Sequence, residues 1–344
     1  MKIFRILLVV ISVLLIGGAI LFYQLYKKYQ APIVELSSST QIFYIPTGSS
    51  YEFVLESLYN QQIVRDTAVF KIIAGLKKYP ENVKPGRYLI KNQMNANELV
   101  NMLRSGQQYP VKLTFNNIRF LPKLAGIAAS KLELDSARLM SYLTDRHFLD
   151  SLNFNPQTAI ALFIPNTYEF YWNTSELEFI SRMHREYKKF WTDERLSKAM
   201  DMALSPVEIS ILASIIQEET NKTDEMSRMA GVLMNRLRRN MKLQADPTAR
   251  YAFGDFSVRR ILTDYTLIES PYNTYYVFGL PPGPICMPEQ KTIDAVLNFE
   301  ENSYLYYCAR ADGSGYHEFA ENHSQHLRYA AAYHRYLRQL NIRR

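Results

Sequence analysis

The chain has 344 residues, of which 47% are hydrophobic and 13% aromatic; that is enough to bury two cores and excludes a disordered protein. Its 40 basic and 33 acidic residues leave a formal charge of +7, spread as a generally basic surface that suits anionic lipid or an anionic polymer. The basic clusters Arg236-Leu237-Arg238-Arg239 and Arg343-Arg344 lack a zinc-finger pattern, an RNA-binding motif or ordered aromatic neighbours, so no nucleic acid is expected as a partner.

Residues 6–23 form an apolar run interrupted only by Ser12, Gly17 and Gly18, and about 18–20 such residues cross a bilayer as a helix. Lys2 and Arg5 precede the run, and Lys27-Lys28 follow it without a small-x-small cleavage site, which favours an uncleaved anchor over a signal peptide. Positive charge at both ends leaves its orientation shallowly specified. Residues 1–29 are thus a stub with an anchor, and the Ala, Pro and Ser of residues 30–40 a tether. The third segment, residues 41–110, starts on a strand (residues 41–46) and a turn at residues 47–50. A helix is expected from Phe53 through Ile63-Val64, another over residues 67–76, and a turn and strand at residues 84–90. This strand, helix, helix, strand order resembles a LysM-like module, a small fold that often grips glycan chains; a plain packing subdomain fits it as well.

A helix over residues 97–103 should stop at Ser105-Gly106, and residues 111–115 alternate as a strand. In the connecting region, residues 111–200, helices are expected over residues 121–132 and 135–143. One amphipathic helix with a charged face is expected over residues 180–196. The final segment, residues 201–344, contains the best-marked helix. Ser205 suits the cap, Pro206 the first turn and Glu208 the reciprocal place of a capping box. Leu212, Ile215, Ile216 and Glu219 then share one face, whereas Glu218 lies with Ile211 and Ser214. A carboxyl group that extends a buried stripe loses hydration, and its pKa rises toward the range useful for proton transfer.

Downstream, Met226, Met229, Ala230, Leu233 and Leu237 mark a buried helical face with Thr223 as a cap and Asn240 as a stop. Gln244, Asp246 and Thr248 are expected in a loop stiffened by Pro247, and Tyr272-Asn273-Thr274-Tyr275 with Pro281-Pro282-Gly283 in a second rigid segment. Their short polar arms and aromatic faces suit sugar hydroxyls and ring faces. His317, His323 and His326 match no usual zinc spacing, so no metal is expected; a helix over residues 328–340 closes the chain. Cys286 and Cys308 fit two free thiols or one bridge.

Several of these stretches stand in an order that resembles one family. Leu212-Ala213-Ser214-Ile215-Ile216-Gln217-Glu218-Glu219-Thr220, Asn235-Arg236-Leu237, Leu243-Gln244-Ala245-Asp246-Pro247-Thr248, Tyr272-Asn273-Thr274-Tyr275 and Gly279-Leu280-Pro281-Pro282-Gly283-Pro284-Ile285 resemble the endolytic murein transglycosylases, called MltG or YceG-like. The resemblance is strongest over residues 212–326. It implies an α+β architecture: an N-terminal transmembrane helix, a LysM-like α/β subdomain and a C-terminal mixed α+β catalytic domain. The implied location is the cytoplasmic membrane, with the N-terminus inside, residues 6–23 in lipid and the bulk outside.

The implied activity is cleavage of the bond between MurNAc and GlcNAc in nascent peptidoglycan strands, without a cofactor. One Glu serves as acid and then base and leaves a 1,6-anhydroMurNAc end. The family's catalytic glutamate maps onto Glu219. The middle position of its Glu/Gln-x-Glu segment, often basic in relatives, is Glu218 here. Glu218, Asn235, Arg236, Gln244, Asp246, Thr248, Tyr272, Asn273, Thr274, Tyr275, Pro282, Gly283, His317, Phe319 and His326 map onto the substrate groove, and wall-synthesis enzymes are the implied protein partners. A non-catalytic membrane-anchored scaffold and a hydrolytic muramidase are the competing readings.

Overall fold

The computed structural model describes residues 2–257 and 263–340; Arg343 and Arg344 lie outside them. The chain divides into two compact units. The first takes the chain up to Lys112 with residues 131–133 and 169–174, and the second takes the remainder.

The first unit opens on α1 (Lys2–Gln30), a single helix. Of the apolar run at residues 6–23, the side chains of residues 6–9, 21 and 22 lie outside the described ones. Val13, Leu14 and Leu15 stand 63–69% exposed. Among the described residues, no single helix is long and apolar enough to cross a membrane; Val10–Ile20 is a shorter apolar stretch.

The expected strand, helix, helix, strand order follows as β1 (Thr40–Ile45), α2 (Tyr51–Asn60), α3 (Thr67–Leu76) and β2 (Gly86–Lys91), then α4 (Ala96–Ser105). The strands pair antiparallel from Thr40 opposite Lys91 to Ile45 opposite Gly86. Phe43, Ile45, Tyr88 and Ile90 face a core shared with Val54, Leu58, Phe70 and Leu99. The helix expected to run through Val64 stops at Asn60. Gln62 turns into the left-handed region at φ 56°, so the buried Ile63 and Val64 enter the core from a turn that continues the apolar spacing without continuing the helix.

The chain passes into the second unit within β3 (Val111–Phe115), which leads to α5 (Leu121–Ala129), α6 (Ser136–Thr144), the short α7 (Arg146–Asp150) and β4 (Asn166–Phe170), the partner strand of β3. The helix expected over residues 180–196 is two, α8 (Glu176–Phe190) and α9 (Asp193–Asp201). Thr192 breaks it by capping a new N-terminus, its side chain accepting from the Arg195 amide, while Phe190 and Trp191 carry the apolar pattern across the break. After α10 (Pro206–Glu219) and α11 (Met226–Arg238) comes α12 (Asp246–Phe253), where a loop was expected. Pro247 sits in its first turn, where a missing N–H costs nothing. The remaining elements are α13 (Thr263–Thr266), α14 (Gln290–Leu297), β5 (Tyr306–Ala309), β6 (His317–Ala320) and α15 (His323–Gln339).

Sequence patterning had not separated α14, which buries Ile293, Val296 and Leu297 against α10 and α11. The closing helix begins at His323 rather than Arg328, because Asn322 caps it. Its Tyr329, Tyr333, Tyr336 and Leu337 are half-buried. The core of this unit is the α10–α11–α14 packing, with Ile209, Leu212, Ile215, Met229, Leu233 and Val296 at its centre. Cys286 and Cys308 are both free thiols.

Candidate active site

The site is built at the C-terminal end of α10. Its start carries the full capping box: Ser205 Oγ accepts the Glu208 amide at 3.3 Å, and the Glu208 carboxylate accepts the Ser205 amide at 2.8 Å. From Ile209 to Ile216 every residue is buried, so α10 is a core helix on all sides and its last three residues mark where it reaches the surface. Gln217 fastens that end to the following loop, accepting the Glu289 amide at 2.5 Å and donating to the Met287 carbonyl at 3.3 Å. Glu218 turns to Arg119, with which it forms an ion pair. That guanidinium also lies 4.5 Å from the centre of the Phe256 ring.

Glu219 points elsewhere. It is half-buried, with protein packed closely around the carboxyl, and this desolvation pushes its pKa up to about 8. The negative charge of Asp246 acts in the same direction, whereas a hydrogen bond from Tyr307 and the charge of Arg250 oppose it. Asp246 opens α12, where the helix dipole favours an acid, and accepts the Tyr275 hydroxyl at 2.6 Å. The phenols of Tyr307 and Tyr275 are both held protonated by burial and by these carboxylates. The arrangement presents an acid neutral at physiological pH, a nearby second carboxylate and two phenol donors, a set suited to giving up a proton while positive charge develops beside it.

The other site candidates fall into two groups. Arg236, only 6% exposed, donates to the carbonyls of Leu305, Lys242 and Leu243 and to Gln244 Oε1 at 2.5–3.1 Å. Asn235 donates to Asn302 and Tyr304 carbonyls at 2.8 and 3.0 Å. Thr248, Asn273 and Thr274 are wholly enclosed. Thr248 and Thr274 share a hydroxyl hydrogen bond at 2.7 Å, and Asn273 donates to the Ile268 carbonyl at 2.8 Å. These five hold the loops in shape from behind. Exposed faces belong to Gln244, Asp246 and Pro282, and partial ones to Tyr272 and Tyr275. The Tyr272 ring lies 4.7 Å from that of Tyr251, tilted by 42°, and burial lifts the pKa of its hydroxyl to about 12.

Gly283 owes its identity to a close approach: a Cβ there would run into the Gln157 carbonyl oxygen. Gly283→Ala is expected to cost about 1–3 kcal/mol as the two loops are forced apart, read as a lowered denaturation midpoint.

The histidine segment supports rather than lines the acid. His317 Nδ1 lies 3.1 Å from Glu225, whose carboxylate also accepts the His317 amide at 2.9 Å, and its ring meets Tyr307 edge-on at 5.7 Å. This explains why Glu225, at the cap position of α11 in place of the expected Thr223, makes no side-chain cap bond. Phe319 is core, packed against Tyr304 and Tyr307. His326 stacks on Tyr306 at 5.3 Å, and burial lowers its pKa. Sequence reasoning missed Tyr307, Arg250 and the Arg119 partner of Glu218. Arg250 follows Asp246 at helical spacing, a signal available only once residues 246–253 are known to be a helix; Tyr307 carries no local signal.

The chain is similar to several known proteins. The model of the YceG-like family matches residues 43–332. An endolytic murein transglycosylase of Bacillus subtilis is 28% identical over 315 residues, covering 87% of this chain and 86% of that protein. One from Streptococcus pneumoniae is 28% identical over 96% of this chain, which spans 65% of that longer relative. A crystal structure of a yceG-like protein from Listeria monocytogenes superposes with a TM-score of 0.55 and 26% identity, over 85% of this chain and 99% of that one. With the family pattern extending from β1 into α15, around the carboxylate that ends α10, the chain belongs to the YceG-like family.

Proposed function

We propose that this protein is a peptidoglycan lytic transglycosylase with Glu219 as its acid and base. The carrying observation is the desolvated Glu219 carboxyl at the end of α10, its pKa near 8, faced by Tyr307 and by the charge of Asp246. The neutral acid protonates the oxygen leaving between MurNAc and GlcNAc as positive charge develops at the anomeric carbon. The resulting carboxylate then takes the proton from the MurNAc C6 hydroxyl as that oxygen closes onto C1, giving a 1,6-anhydro end. No water enters. Asp246 stabilises the cationic centre electrostatically, and the loops at residues 272–283 form the groove wall, with Tyr272, Tyr275 and Pro282 toward the glycan. General acid and base assistance supplies about a hundredfold to ten-thousandfold, and charge stabilisation and ring distortion supply the rest.

The exposed apolar side chains of α1 support a role as a single-pass anchor, and the β1–α2–α3–β2 order supports a LysM-like glycan grip; the folded units then lie outside the cytoplasmic membrane, where the glycan is. In this reading the protein cuts nascent strands internally, beside wall-synthesis enzymes.

The proximity of Asp246 favours one second reading, a hydrolytic muramidase using two carboxylates. Digestion of sacculi followed by mass spectrometry separates the two: anhydro ends are expected, and reducing ends heavier by one water would establish hydrolysis instead. Intact sacculi with binding alone would indicate a scaffold. Because the reaction starts from neutral Glu219, cleavage should fall about tenfold per pH unit as the pH climbs beyond about 8. A rate constant from pH 7 to 10 would remove Glu219 as the acid.

A further inference from the structure

Among the described residues, Arg250 is the cation beside Glu219 whose guanidinium makes no hydrogen bond or ion pair. Arg119 is tied to Glu218, and Arg236 is committed to three carbonyls and Gln244. Arg250 Nε is buried and, among the described residues, has no hydrogen-bond partner. A guanidinium without an acceptor is costly to the fold; with Nε enclosed, its outer nitrogens are the donors that an acceptor from outside the fold can meet.

Its placement indicates which acceptor. Arg250 stands one turn after Asp246 on α12, a helix packed against α10, and its charge is felt at Glu219. The residue itself is half-buried and therefore reachable. A glycan backbone offers only neutral hydroxyls and acetamides. The charges of murein sit on the stem peptides, joined through the lactyl ether of the muramyl sugar, the same sugar that must place its C1 and C6 at Glu219. A planar fork of N–H donors pairs best with a carboxylate.

Building on the transglycosylase reading, we infer that Arg250 is a substrate-binding residue that engages a carboxylate of the stem peptide on the muramyl sugar being cut, making the site selective for peptide-bearing over stripped glycan.

The test uses the full chain with soluble glycan strands, half of the preparation stripped of peptide by an amidase. For wild type, Arg250→Gln and Arg250→Lys, kcat/KM is measured on both substrates by counting anhydro ends. The ratio of peptide-bearing to stripped kcat/KM is expected to fall about ten- to a hundredfold in Arg250→Gln, mainly through KM, and to recover partly in Arg250→Lys. Any effect of the lost charge on Glu219 acts on both substrates and cancels in the ratio, so an unchanged ratio overturns the inference. If the wild type releases no anhydro ends, the transglycosylase reading fails separately. Co-sedimentation of Glu219→Gln and Glu219→Gln/Arg250→Gln with intact and amidase-stripped sacculi then decides: weaker binding to intact sacculi alone supports the contact, and equal binding to both sinks it.

Discussion

Glu219→Gln is expected to lower the release of anhydro-muropeptides by at least about a hundredfold to ten-thousandfold while leaving sedimentation with sacculi intact. Gln keeps the shape and the partner for Tyr307 but cannot give up a proton. The same substitution should alter stability in a pH-dependent direction that a merely structural carboxylate would not show. The folded protein raises the Glu219 pKa to about 8, so the stabilisation associated with the neutral acid is full below the ordinary carboxylate range and is lost as the pH climbs through about 8. Above that point the wild type holds a charge in a desolvated place and the variant does not. At pH 9 the variant should therefore be the more stable by up to about 5 kcal/mol, or roughly 10–20 °C in melting temperature for a unit of this size. Retained release of anhydro ends by the variant would remove the assignment, and a lower melting temperature at pH 9 would contradict the burial that supports it.

Arg236→Ala should be the most damaging change away from Glu219 itself. It leaves the carbonyls of Lys242, Leu243 and Leu305 and the Gln244 amide without their donor, and removes a guanidinium lying 5.0 Å from the Tyr306 ring. The expected cost is about 3–5 kcal/mol, seen as a lowered denaturant midpoint. Lys in its place should recover only part, because one ammonium cannot serve acceptors arranged around a planar fork. Cleavage should fall with stability, since Arg236 ties residues 242–244, just before Asp246, to Leu305, just before Tyr307. Unchanged melting in Arg236→Ala would show that these bonds are not what holds the two segments together.

Local chemistry was legible wherever one stretch carried its own instructions. The capping box of α10, the exact span of α3 and the glycine that ends α4 all follow from neighbouring residues that satisfy each other's backbone groups. The misread boundaries share a different cause. Apolar spacing persisted through the turn after α2 and through the break between α8 and α9, because buried side chains continued across a change of backbone direction. Pro247 signalled rigidity, and that signal does not distinguish a stiff loop from the first turn of a helix.

The candidate acid shows where the division lies. The ordered motifs, the apolar helix and the carboxylates at its end were written in the chain, and with them the family and the neighbourhood of the site. The sequence also favours Glu219 over Glu218, by its place in the family motif and on the face of Leu212, Ile215 and Ile216, but α10 is buried on every side, so that face does not set the two environments apart. What sets the two carboxyl environments apart is supplied by segments distant in sequence: Arg119 pairs with Glu218, while Asp246, Tyr307 and Arg250 act on Glu219. A pKa depends on which charges and donors lie within a few ångströms, and only folding brings residues 119, 246, 250 and 307 within that range of one helix terminus.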